Sequence, residues 1–66
     1  MNEKIAAELE RLADDATERS ERVALRASLE EDSAEAHTLR RIARVHLGYA
    51  QRTREHAERI RRGADV

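Results

Sequence analysis

The sequence contains no cysteine, no proline, only two glycines, and a single aromatic residue, Tyr49. Without cysteine there is no disulfide framework, no thiol chemistry and no cysteine-ligated zinc. Without proline, and with so little glycine and aromatic content, a many-turned β-sandwich has neither its turns nor its strands. No apolar run approaches the ~20 residues of a membrane span, and no signal-like apolar stretch follows Met1. These absences lead us to expect a soluble, cytoplasmic, helical chain.

What is present is alanine and charge. Of 66 residues, 12 are Ala, 13 are Lys or Arg and 14 are Asp or Glu, for a net charge of −1. Arginine far outnumbers lysine, a composition that suggests a GC-rich bacterial genome. Only 14 apolar residues are larger than alanine, and two of them are the terminal Met1 and Val66. Fully burying a large side chain contributes ~1.5–3 kcal/mol, while ordering each residue costs ~1.5 kcal/mol. So few large side chains leave a short chain in need of a staple. With disulfides excluded, self-association is the expected one.

Ala, Glu, Arg and Leu favour helix almost throughout, so the informative question is where the helix breaks. The segment Glu30-Glu31-Asp32-Ser33-Ala34-Glu35 is acidic, as a helix N-terminus prefers, and Asp32 with Glu35 fits a capping box. The expectation is one domain: a helix over about 3–29, a turn at 30–32, a helix over about 33–62 and a short tail after Gly63, a natural helix stop. So short a connection makes the helices antiparallel neighbours.

The strongest regularity is a repeat of seven. Ala36, Ala43, Ala50 and Ala57 recur at that spacing in the second half, as do Ala6, Ala13, Ser20 and Ala27 in the first. Beside them run Leu9, Ala16 and Val23, and Leu39, His46, Thr53 and Ile60, with a further row of Ile42, Tyr49 and His56. Such sustained sevens are a coiled-coil signal. The fold class expected is all-α: an antiparallel hairpin with an alanine seam, dimerising into a four-helix bundle. This architecture resembles other helical hairpins that pair into bundles. The expected self-interface comprises Leu39, Ile42, His46, Tyr49, Thr53, His56 and Ile60, with the polar members hydrogen bonding across the dimer.

Charge is divided unevenly. Residues 1–32 hold 5 basic and 10 acidic side chains, and residues 33–66 hold 8 and 4, so the helices attract along their flanks. On a helical wheel Arg41, Arg44, Arg52, Arg59 and Arg62 gather opposite the alanine stripe as an outer basic ridge. Glu3, Glu10, Asp14, Glu18 and Glu21 form an expected acidic outer face on the first helix. The ridge suits an acidic protein partner or simple solvation. Nucleic acid is the alternative from another class, although the pI of 6.3 is low for it.

Chemistry finds little footing. The residues three before the histidines are Ala34, Ala43 and Thr53, so the Glu-x-x-His pattern of carboxylate-bridged metal bundles is absent. There is no glycine-rich phosphate loop and no HExxH motif. The expectation is no enzyme, no cofactor and no metal, but a small regulatory or adaptor module acting through protein contacts.

Gly48 admits a second reading. Ile42-Ala43 followed by Leu47-Gly48 and Thr53 resembles a helix-turn-helix unit, with Gly48 in the turn and Gln51, Arg52 and Arg54 offered to DNA. Against it, the alanine heptad runs from Ala43 to Ala50 through the supposed turn. Leu25, Leu29 and Val45 also fall off the core stripe. They make either a contact patch or residues covered by a turn placed elsewhere.

Overall fold

The computed structural model describes residues 2–63. Two helices account for nearly all of them: α1, Asn2–Leu29, and α2, Ser33–Arg61. They lie side by side and antiparallel, as the short connection requires. The expected break at 30–32 and both helix spans are found within one residue, because local capping chemistry sets them.

The break is built by Asp32. Its carboxylate accepts the N–H groups of Ala34 at 2.9 Å and Glu35 at 3.1 Å, satisfying two donors that the first turn of α2 leaves open. Half of the expected capping box is therefore present. The return leg differs: the N–H of Asp32 donates to the carboxylate of Glu30 at 3.2 Å, not to Glu35. At the other end Gly63 takes φ +75°, and its N–H donates to the carbonyl of Ile60 at 3.0 Å. That left-handed conformation suits glycine and ends α2.

The alanine repeat is the seam. Ala6, Ala13, Ala50 and Ala57 are fully buried, and Ala27, Ala36 and Ala43 nearly so. Ser20, standing where the repeat has a serine, donates its hydroxyl to the backbone carbonyl of Ala43 at 2.8 Å. A hydroxyl one carbon from its backbone reaches the opposing backbone only when the two helices approach closely. Small residues at every seventh position permit that approach. The hydrogen bond also sets the register, with Ser20 level with Ala43.

Because the seam is small, it buries little. Leu39, at 8% exposure, is the only large apolar residue among those described to reach the buried class, while Ile5, Ile42, Leu47 and Tyr49 stay 40–46% exposed. Met1 and Val66 lie outside the described residues. The hairpin is a thin rod, 47 × 15 × 9 Å, with a radius of gyration of 14.9 Å, against about 11 Å for a compact chain of this length. Its surface is 4971 Å², about 700 Å² more than the roughly 4,300 Å² typical of a folded monomer of this mass.

Helix α2 passes through Gly48 without interruption, so the turn required by the helix-turn-helix reading is not formed. The seam explains this: breaking α2 at Gly48 would take Ala50 out of phase with Ala43. The space a side chain would occupy at Gly48 is used by Arg52, whose Nη1 lies 3.3 Å from where a Cβ would stand.

Candidate functional site

Two antiparallel helices joined along a seam make a ribbon with two broad faces, and the seven-residue rows beside the alanines decide their character. One face is ionic. Its α1 row is Glu3, Glu10 and Thr17, with Asp14 alongside, and its α2 row includes Arg54 and Arg61. Arg61 forks onto Glu3, with its Nη2 at 2.7 Å and its Nε at 3.0 and 3.1 Å, and also reaches Glu10. Arg54 donates to Asp14 at 2.9 Å and to the Thr17 hydroxyl at 3.1 Å. The hydrogen bonds from Arg61, and then its charge, hold the Glu3 carboxyl below the usual glutamate value. The same contacts raise the Arg61 guanidinium above its ordinary value.

The expected acidic outer face is only part of what these residues do: Glu3 and Asp14 stay about 70% exposed, yet with Glu10 they also reach across the flank to arginines of α2. The attraction between the oppositely charged halves is carried by Arg54 and Arg61, which the outer basic ridge did not include. Their seven-residue spacing from each other, matched to Glu3 and Glu10, was the available signal.

The other face is apolar. From α1 it presents Ile5, Leu9, Leu12 and Val23, and from α2 Ile42, His46, Tyr49 and Ile60. Within the hairpin these side chains are covered on one side only: Leu9, Leu12, Val23, His46 and Ile60 are half-buried, and Ile5, Ile42 and Tyr49 exposed. Of the residues expected at a self-interface, Leu39 and Thr53 instead reach 8% exposure inside the hairpin's own seam. They sit one position closer to α1 than Ile42 and Tyr49 do. His46 lies half-buried on this face, while His37 and His56 are exposed.

The basic ridge divides along its length. Arg62 pairs with Glu58 one helical turn away at 3.9 Å. Along the middle of α2, Arg40, Arg41, Arg44 and Arg52 have no carboxylate partner among the described residues. Beside them lie two shallow depressions. One of about 520 Å³ is lined by Thr38, Arg41, Ile42, Arg44 and Val45. Another of about 260 Å³ lies on the ionic face, floored by Ala24, Ala43 and Leu47 and edged by Arg40 and Arg44. Val45, Leu25 and Leu29 are 63–75% exposed. The turn stands where expected, so it does not cover them.

Among the described residues there is no cluster of three or more potential metal ligands, and no helix is long and apolar enough to cross a membrane. Every buried polar side-chain atom described has a hydrogen-bond partner. Comparison with known protein families, with curated proteins and with solved structures finds no significant match to this chain.

Proposed function

We propose that this protein is a non-catalytic, self-associating module: its apolar face joins a second copy in a four-helix bundle, and its unpaired arginines engage an acidic protein partner. The observation that carries the reading is the apolar face left uncovered by a seam of alanines. Large aliphatic side chains in rows beside a small-residue seam are placed for a second layer of helices. The hairpin's excess surface of about 700 Å² is close to the ~800 Å² each partner gives to a standard interface.

The partner assignment rests on the outer side of α2 before Gly48. Arg41 and Arg44, without a carboxylate, line one depression with exposed Val45, and Arg40 and Arg44 edge another with exposed Leu47. Guanidinium and aliphatic groups interleaved in this way suit the carboxylates and apolar side chains of an acidic amphipathic surface. Phosphate binding needs only the former, and the overall charge of −1 works against it.

Light scattering across a concentration series tests self-association. The expected species has twice the mass of the 7.6 kDa chain. Ile42→Glu should shift it to monomer or unfold it, because a charge would enter the apolar face, whereas Leu25→Glu, off that face, should leave the mass unchanged. A folded monomer at every concentration overturns the reading. Steep, salt-dependent binding of a nucleic-acid duplex, lost in Arg41→Glu/Arg44→Glu, would replace the protein partner with the nucleic-acid alternative.

A further inference from the structure

We propose that the two copies meet antiparallel, α1 on α1 and α2 on α2, with their turns at opposite ends of the bundle. This rests on the self-association proposed above and adds which of the two possible arrangements is adopted.

The inference comes from the free edge of α1, where the apolar face borders solvent. Along it the seven-residue row runs Ile5, Leu12, Arg19, Arg26, with Glu8 and Asp15 beside the first half. The edge is thus apolar and acidic near the N-terminus and basic near the turn. Arg19 and Arg26 have no ion-pair partner among the described residues. Glu8 and Asp15 share the single cation Arg11, so the pair keeps one negative charge in excess. An edge whose halves carry opposite charge is complementary to its own reversal. Turning a second α1 end for end about a point near residue 17 sets Glu8 opposite Arg26 and Asp15 opposite Arg19. Twofold symmetry makes each pairing twice.

Two ribbons can close a bundle face to face by a twofold axis in one other way, with the axis along the bundle. The turns then share an end, and α1 of one copy lies beside α2 of the other at the level already found within the hairpin. The hydrogen bond from Ser20 to Ala43 fixes that level. Arg19 would then lie level with Arg44 of the second copy, and α2 offers it no carboxylate anywhere between Glu35 and Glu55. Like charges opposed at an interface select against an arrangement. In the antiparallel arrangement Arg41 comes within a residue of the level of Arg52 of the second copy, but both are exposed and solvent screens them. The α2 edge of Ile42 and Tyr49 meets its own reversal.

The absence of cysteine allows a clean test. Glu31 is exposed at the turn, and Glu31→Cys carries a single spin label per chain. Double electron–electron resonance on the dimer should give a separation of roughly 40–50 Å, the length of a 29-residue helix plus its label. A separation under roughly 20 Å, with the mass still that of a dimer, overturns the antiparallel arrangement and leaves self-association standing. A monomer overturns both. As a second readout, Arg19→Glu/Arg26→Glu should weaken the dimer about tenfold or more at low salt, and adding Glu8→Arg/Asp15→Arg should restore it. Weakening that the second pair deepens rather than restores also refutes the pairing.

Discussion

Replacing Ala50 with leucine probes the seam where it is tightest. Ala50 is fully buried and forms one cluster with Ala13 and Ala16, both also at 0% exposure. Leucine adds three carbons. With room for them, burial would stabilise by about 0.8 kcal/mol per carbon, or roughly 2.4 kcal/mol. There is no such room: the opposing residues are already alanine, and the 2.8 Å bond from Ser20 to Ala43 shows how near the backbones lie one heptad away. The added volume must push the helices apart, stretching that hydrogen bond and the contacts of Arg54 with Asp14 and Thr17. Overpacking of this kind typically costs ~1–3 kcal/mol. For a domain this small each kcal/mol lowers Tm by ~4–8 °C. The expected loss is therefore roughly 5–20 °C, read by circular dichroism at 222 nm with protein concentration held fixed, since the proposed association would contribute to Tm. Ala7→Leu, on the exposed side of α1, is the control and should change Tm little. An Ala50→Leu protein at least as stable as the parent, with the Ala7→Leu control unchanged, would refute the close-packed seam.

Three further outcomes follow from particular residues. Gly48→Ala should stabilise by ~0.5–1 kcal/mol in chemical denaturation, since helix propensity improves and the added methyl meets only the flexible end of Arg52, at 3.3 Å. A loss of stability would mean that Arg52 cannot move aside. Asp32→Ala should cost ~1 kcal/mol, with amide exchange accelerated first at Ala34 and Glu35, the two N–H groups it now accepts. Glu3 should titrate below the ordinary 4.5, chiefly because of its hydrogen bonds from Arg61. Since its folded pKa is depressed, the stability it contributes is complete above the unfolded value and fades as pH falls through the lower folded one. NMR titration of the side-chain carboxyl should show its pKa rising in Arg61→Gln, and no rise would remove Arg61 as the cause.

The ends of α1 and α2 are legible in residues 29–35 because an N-cap is a contact between near neighbours: Asp32 closes on Ala34 and Glu35 whatever the rest of the chain does. The seam was equally legible, because a period of seven puts Ala6, Ala13, Ser20 and Ala27 on one helical stripe and only small residues occupy it. The same period argued that α2 continues through Gly48, against a local resemblance that placed a turn there. The candidate site was half legible. Ile42 and Tyr49 were placed on an open apolar face, while Leu39 and Thr53 were drawn into the hairpin itself.

The sequence by itself determined the helices, their break and their small-residue stripe, since each depends on interactions within a few residues or on simple helical periodicity. Only the tertiary structure decided which charges meet. Arg61 and Glu3 are 58 residues apart, and composition offers Arg61 many carboxylates. Its choice of Glu3 and Glu10 follows from the direction of α2, from the register set between Ser20 and Ala43, and from the close approach that alanine permits. The same three facts turn one face of the ribbon ionic and leave the other apolar and half-covered.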